Sequence, residues 1–188
     1  DVVDQLRAGA IDWPEIGRPR TLALEPMRPL DPDAAVTRTF EVWNERTVAP
    51  EECDADGVFA GGPSPLARGP HDGTIGVSGA RGQFPTRWLF TGPDGHRLAF
   101  VNAESRRVVF APPRAGARIR SIDADIAFGA NHRLRREWTV DLDSGRTYAA
   151  GDFVDLMLDL DDRRVVAVPD SVRAEIAAHF HPDLAGFD

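Results

Sequence analysis

The chain has 188 residues, 42% hydrophobic and 28% charged, which is typical of one folded domain with its own core. Its formal net charge of −8 argues against nucleic acid as a partner, because an acidic surface repels phosphate groups. All 22 basic residues are arginine, so mechanisms that need a lysine Schiff base or a phosphate-binding lysine are excluded.

Cysteine content and hydropathy favour an intracellular setting. Cys53 is the single cysteine, so the chain cannot form an internal disulfide. No apolar run reaches the roughly 18 residues that a membrane span requires. We therefore expect a cytoplasmic protein with no membrane partner.

Residues 1–35 are predicted to form a proline-rich N-terminal arm, followed by one domain over residues 36–188. Five prolines lie between Pro14 and Pro32, and this density rules out a helix and favours an extended path over the surface. Apolar residues such as Trp13, Leu24 and Met27 indicate that the arm docks on the domain.

The domain opens with a strand and continues into an acidic turn. Residues 37–48 are rich in β-branched and aromatic residues, which favours a strand. "PEECDADG" follows from Pro50, with Glu51 and Glu52 expected to be solvated. Residues 61–85 then hold seven glycines and four prolines, so a helix there must be short and held by packing.

The second half of the domain predicts four or more antiparallel strands and a terminal helix. Leu134, Trp138 and Val140 share one parity, and the strand after a turn at Ser144-Gly145 repeats the pattern. Asp152 interrupts that parity, and we expect a bulge to turn it outward. The terminal helix carries a stripe of Val172, Ile176 and Phe180, with Asp170 or Ser171 as its N-cap.

Three stretches give the chain a resemblance to the hotdog-fold thioesterase family. "VAPEECDADG" resembles the entry to that family's central helix. "RRVVFAPPRAGARIRSIDADIAFGANHRLRREWTVDLDSGRTYA" is similar to its run of sheet strands, and "LDLDDRRVVAVPDSVRAEI" is similar to its closing strand and C-terminal helix. The resemblance implies an α+β hotdog fold, in which a curved antiparallel sheet wraps one central helix.

The family resemblance also implies an activity, a site and partners. It implies hydrolysis of acyl thioesters of coenzyme A or a carrier protein, at a seam of a homodimer or higher homo-oligomer, without cofactor or metal. A carboxylate would activate water, and backbone N–H groups at a helix N-terminus would bind the oxyanion. The expected catalytic residues are Asp54, Asp72 and His71. The expected substrate-binding residues are Gly57, Gly61, Gly62 and Asn131.

Departures from the family pattern keep two alternatives open. Position 58 is valine where the family's motif continues with histidine, and Gly61 and Gly62 replace common asparagines. These changes favour a non-catalytic hotdog protein that binds acyl thioesters or assembles with a partner. A hotdog hydratase or dehydratase is the third reading, since that chemistry normally needs an Asp followed closely by a His. The alternative interpretation of Asp54 is a purely structural turn or cap residue, which is the role that aspartate prefers.

Overall fold

The computed structural model describes residues 27–38, 40–62, 66 and 89–185. Its main element is a seven-stranded antiparallel sheet curled into a half-barrel. Over these residues, no helix combines the length and apolar character that crossing a membrane demands. His71, Asp72 and most of the glycine-rich stretch expected to hold the central helix lie outside the described ranges.

The sheet has the order β1-β4-β5-β6-β3-β2, and β7 pairs with the end of β6. Its long strands are rich in β-branched and aromatic residues, and the alternation of apolar residues in the sequence predicted strands here. The strands are β1 (Glu41–Thr47), β2 (Leu89–Thr91), β3 (Arg97–Val109), β4 (Arg118–Phe128), β5 (His132–Asp141), β6 (Thr147–Asp159) and β7 (Arg164–Val165).

The β5–β6 hairpin closes where the sequence predicts it. Gly145 has a φ of +71°, a left-handed conformation that glycine adopts without steric cost. Its N–H donates to the carbonyl of Asp141, 2.9 Å away. The Asp141 carboxylate accepts hydrogen bonds from the backbone N–H groups of Asp143 and Ser144 inside the turn.

One surface of the sheet, the Trp138 face, carries an apolar core under the chain's own terminal segments. Strand alternation places Ile122, Trp138 and Ala150 side by side on this face. Leu30, which precedes the first helix, is buried against them, and its N–H donates to Thr147 Oγ1 at 3.0 Å. The described end of the arm, from Met27, therefore docks on the domain, while Trp13 and Leu24, on which the docking prediction also rests, lie outside the described residues.

The opposite surface, the Leu66 face, has two apolar clusters with a charged region between them. Ile119, Val48 and Phe59 pack around Leu66 at one end, where Leu66 is fully buried. A second cluster surrounds Met157 at the other end. Its members are Phe90, Leu98, Met157, Val168 and Val172.

The arm contains a short helix, which the sequence analysis excluded. Helix α1 spans Pro32–Thr37, with the Asp31 carboxylate accepting from Asp33 N at 2.9 Å as its N-cap. The exclusion was wrong because Pro32 occupies the first turn, where proline's missing N–H costs nothing. Proline density therefore marks where this helix begins.

The C-terminal helix is shorter than its stripe predicts. Helix α2 spans Asp170–Glu175, and its N-cap is Pro169, without a capping side chain, so the predicted cap at Asp170 or Ser171 was wrong. Phe180 leaves the helix and forms a parallel bridge with Asp125. The 3₁₀ turns Ala177–His179 and Pro182–Ala185 carry the chain across the sheet.

Asp152 does not turn outward, so that prediction was also wrong. It pairs in regular register with Arg106 on β3 and Arg136 on β5, and it is 4% exposed. Two guanidinium groups supply the partners that a buried carboxylate needs, and this removes the reason for a bulge.

Candidate functional site

The predicted catalytic Asp54 lies in an exposed turn that it holds together. Its Oδ1 accepts hydrogen bonds from Asp56 N at 3.0 Å and Val58 N at 2.9 Å. Gly57, with a φ of +72°, closes the turn by donating to the Asp54 carbonyl at 3.0 Å. The geometry is that of a side-chain-capped turn. A catalytic role for Asp54 and a substrate-binding role for Gly57 stay predictions.

Glu52 is an ion-paired residue of the same turn, so the expectation that it is solvated was wrong. Its Oε2 accepts from Arg46 Nη1 at 2.6 Å and from Ala49 N at 2.9 Å. Arg46 Nη2 also donates to the Leu66 carbonyl at 3.3 Å. The acidic turn is therefore connected, through one arginine, to the segment predicted to form the central helix.

The described part of that segment makes one helical hydrogen bond. Leu66 N donates to the Gly62 carbonyl at 3.1 Å, the spacing of an α-helical turn. Gly61 and Gly62 are exposed. Their predicted substrate-binding role is untested, as are the roles of His71 and Asp72, which lie outside the described residues.

Asn131, the remaining predicted binding residue, lies in the turn between β4 and β5. Its Oδ1 lies 3.2 Å from His132 Nδ1, and its carbonyl accepts from Met157 N at 2.9 Å. Asn131 is exposed, and these contacts shape the turn. Its role toward a ligand stays a prediction.

The centre of the Leu66 face holds a buried ionic layer. Arg135 Nη1 donates to Asp123 Oδ2 at 2.6 Å, and its Nε donates to Asp155 Oδ2 at 3.1 Å. Arg133 contacts the same Asp155 oxygen at 3.2 Å and reaches Asp125 Oδ1 at 3.1 Å. We call these five residues, with Glu137 whose Oε2 lies 4.0 Å from Arg135 Nη1, the ionic layer.

Aromatic rings support the arginines of the ionic layer. The guanidinium carbon of Arg135 lies 4.3 Å from the centroid of the Phe153 ring, and that of Arg107, outside the layer, lies 4.4 Å from the same centroid. The guanidinium of Arg133 lies 4.2 Å over the ring of Phe100. Cation–π contacts of this kind stabilise desolvated guanidinium groups and fix their planes.

Two members of the ionic layer, Asp155 and Arg135, have shifted pKa values that favour their charged forms in spite of burial. Desolvation alone would raise the pKa of Asp155, but the charges of Arg135 and Arg133 and hydrogen bonds from Asn102 and Arg135 outweigh it and lower that pKa. Desolvation likewise opposes the charge of Arg135, yet Asp155, Asp123 and Glu137 raise its pKa above the ordinary value. Asp155 and Arg135 therefore hold each other in the charged form.

Comparison with known proteins identifies the fold. No protein-family model matches the chain, and neither does any curated protein. A thioesterase superfamily structure from Jannaschia sp. CCS1 aligns with a TM-score of 0.52 and 14% identity, over 84% of this chain and 99% of that one. YbaW, a probable thioesterase from Escherichia coli, aligns with a TM-score of 0.51 and 9% identity, over 74% and 98%.

The chain has a hotdog fold.

A third comparison involves a much longer protein. The 12:0-ACP thioesterase from Umbellularia californica is 24% identical over 45% of this chain, with a TM-score of 0.40. The match spans about a third, 32%, of the length of that thioesterase. The Jannaschia and Escherichia coli structures confirm, at the level of the fold, the resemblance noted in the sequence.

The hotdog sheet presents its ionic layer on the face where Leu66, the described residue of the predicted central helix, packs. The Asp155 carboxylate, whose pKa the arginines lower, is a poor proton acceptor at neutral pH, because a general base works best with a pKa near the working pH. The ionic layer is therefore suited to orienting polar groups and fixing the sheet.

Sequence reasoning missed the ionic layer, although its signal was present. Asp123 and Asp125 alternate on β4, and Arg133, Arg135 and Glu137 alternate on β5. This is the same period of two that identified the apolar face. Charged residues that alternate along one strand normally indicate a solvated face. The informative feature was that acidic residues on β4 face basic residues on β5.

Proposed function

We propose that this chain hydrolyses acyl thioesters carried by coenzyme A or a carrier protein, as a homodimer or larger homo-oligomer. The observation that carries the proposal is the hotdog fold, shared over nearly the whole length of two structures named as a thioesterase superfamily member and a probable thioesterase. The ionic layer is consistent with the proposal, because it gives the Leu66 face a fixed polar centre between two apolar ends.

The proposed reaction needs one free carboxylate near the start of the central helix. Water attacks the thioester carbonyl carbon, and the carboxylate of Asp72 or Asp54 takes the proton from that water. The C–S bond then breaks, and the thiolate leaves with the proton, giving a free acid and a thiol. His71 would orient or relay the proton, and backbone N–H groups near Gly57, Gly61 and Gly62 would stabilise the oxyanion.

A non-catalytic acyl-thioester-binding protein is the second candidate, and specific observations favour it. The Asp54 carboxylate is already occupied by two backbone N–H groups of its own turn. In the ionic layer, the carboxylates of Asp123, Asp125 and Asp155 each contact an arginine. Of the proposed general bases, Asp72 is therefore the one on which the catalytic hypothesis chiefly depends.

A panel of acyl-CoA substrates, assayed by release of free thiol, tests the proposal. We expect turnover by the wild-type chain and a loss of about 100-fold or more in kcat/KM for Asp72→Asn. Asp54→Asn is informative because an asparagine oxygen can still accept both turn hydrogen bonds. Asp143→Asn, at an exposed carboxylate of the β5–β6 turn, is the control.

Each result of the panel has a clear meaning. Unchanged turnover in both Asp72→Asn and Asp54→Asn contradicts the proposed site. Absence of wild-type turnover together with saturable acyl-CoA binding decides for the non-catalytic alternative. Absence of both turnover and binding overturns acyl thioesters as the ligand class.

A further inference from the structure

Two turns at one end of the sheet bring an imidazole and three carboxylates together. The β2–β3 turn supplies Asp94 and His96, and the end of β6 with the following turn supplies Asp159 and Asp162. His96 and Asp159 are 63 residues apart in sequence, so the cluster is invisible to a search for closely spaced metal-binding motifs. It plays no part in the proposed thioester chemistry.

Asp159 is the fixed member of this cluster. It is 1% exposed, and its Oδ1 accepts hydrogen bonds from Asp161 N at 3.0 Å and Asp162 N at 2.9 Å. Its Oδ2 is directed at His96 Nδ1, 2.9 Å away. Two backbone donors therefore hold one oxygen, and the second is presented to the imidazole in a set orientation.

The donor atoms form a compact set. Asp94 Oδ2 lies 3.8 Å from His96 Nδ1, and one donor atom each from Asp94, His96 and Asp159 lie within 4.8 Å of one another. Zn²⁺ bonds of roughly 2.0–2.2 Å to nitrogen and oxygen place neighbouring tetrahedral ligands about 3.4 Å apart. The observed separations of 2.9 Å and 3.8 Å from His96 Nδ1 fall on either side of this spacing.

Among the described residues, the arginines nearest this set of donor atoms pair with other carboxylates. Arg97, at the start of β3, binds Asp161 through Nε at 3.0 Å and Nη2 at 2.5 Å. Arg164 Nε lies 3.2 Å from Asp162 Oδ2. The arginines beside the two turns thus contact Asp161 and Asp162, and the carboxylates of Asp94 and Asp159 together carry the formal charge that balances a divalent cation.

We propose that Asp94, His96 and Asp159 bind a divalent transition-metal ion of the Zn²⁺ type. An imidazole nitrogen in the set favours such an ion over Mg²⁺ or Ca²⁺, which prefer all-oxygen ligands. Asp94 is exposed and His96 is partly exposed, so both side chains can adjust around the buried Asp159. The ion would join the β2–β3 turn to the end of β6, and a fourth position would remain open.

Isothermal titration of the chelator-treated full chain with Zn²⁺ tests the site. We expect one saturable site per chain, weakened at least about tenfold by His96→Ala and by Asp94→Ala. These two variants alter residues of an exposed turn and should leave the fold intact by circular dichroism. His132→Ala, at the first residue of β5, is the matched control and should bind as the wild type does.

Co²⁺ supplies a second measurement, because its visible d–d bands report the coordination of the bound ion. We expect bands of low-coordinate Co²⁺ in the wild type, lost in His96→Ala. Zn²⁺ binding that is absent in the wild type, or unchanged in both His96→Ala and Asp94→Ala, overturns the site. The second result would assign the metal to other side chains and leave the His96 cluster as an ion pair only.

Discussion

The two faces of one sheet differ in how they bury their residues, and Arg135 and Arg136 show the difference. These neighbours on β5 point to opposite sides. Arg136, on the Trp138 face, binds Asp152, which Arg106 also contacts, on the face that carries the apolar core. Arg135, on the Leu66 face, contacts Asp123 and Asp155 and lies 4.0 Å from Glu137.

This comparison separates two ways of building an interior. The Trp138 face gains stability from apolar area removed from water, and the arm and the C-terminal turns supply the cover. On the Leu66 face, burial of the ionic layer costs hydration free energy. Ion pairing offsets this cost only when every charge keeps its partners. The two faces should therefore respond very differently to loss of a single arginine.

Arg135→Met should have the largest effect. The methionine fills a similar volume but removes the guanidinium 2.6 Å from Asp123 and 3.1 Å from Asp155. Breaking a buried ionic network in this way costs about 3–5 kcal/mol in the free energy of unfolding. Urea denaturation followed by circular dichroism measures the loss.

The control for Arg135→Met is Arg120→Met on β4. Arg120 pairs with Glu45 at 2.8 Å, with both side chains exposed by more than a third, so its loss should cost about 0–1 kcal/mol. Equal, small losses in the two variants would show that the ionic layer is hydrated and would remove the contrast between the faces.

Arg136→Met should have an intermediate effect of about 2 kcal/mol, the scale of hydrogen bonds to a charged group. Asp152 keeps Arg106, whose Nη2 lies 2.9 Å away, so its charge stays paired. The variant also loses the bond from Arg136 Nη1 to the Leu184 carbonyl at 2.8 Å. Limited proteolysis should therefore show earlier cleavage near residues 182–185, and a loss as large as that of Arg135→Met would mean that Arg106 does not compensate.

The contrast between the faces also explains what the sequence could predict. The Trp138 face followed from the parity of Leu134, Trp138 and Val140, because apolar alternation has one common cause, burial. Alternation of charged residues has two common causes, exposure to solvent and pairing across strands, and the sequence of a single strand cannot distinguish them. Only the register between β4, β5 and β6 places opposite charges together.

The candidate site was predictable to a smaller extent than the fold. The acidic turn was found where expected, but whether Asp54 serves a turn or a reaction depends on which groups surround it in space. The His96 cluster depends on two turns that meet only after β3 and β6 pair along their whole length. Contacts of this kind are set by the strand topology, so the spacing of residues in the sequence does not predict them.

The pH dependence of stability gives the smallest expected effect. It extends the comparison of the two faces to Asp141, a carboxylate held by hydrogen bonds instead of by arginines. Burial would raise the pKa of Asp141, but bonds from Ser144, Tyr148 and Asp143 outweigh it and lower that pKa. Burial, and then the bond from Tyr148 Oη to Asp141 at 2.8 Å, raise the pKa of Tyr148 to about 12.

The two shifts act at opposite ends of the pH range. The lowered pKa of Asp141 contributes stability that is present above about pH 4 and is lost as the pH falls through the lowered value. The raised pKa of Tyr148 contributes stability that is complete below about pH 10 and is lost as the pH rises toward 12. Neither loss should occur between about pH 5 and pH 9.

The composition of the chain makes the titration of Tyr148 at alkaline pH easy to assign. Tyr148 is its single tyrosine, and with arginine as the only basic side chain besides histidine, no lysine titrates near pH 10. Tyrosinate absorbance should therefore titrate as one group near pH 12, and the urea midpoint should fall over the same interval. Tyr148→Phe should cost about 1 kcal/mol at pH 7, from the lost hydrogen bond, and abolish most of that alkaline fall. A wild-type tyrosine that titrates near pH 10 would contradict the bond to Asp141, because a solvated phenol has no reason to retain its proton beyond that pH.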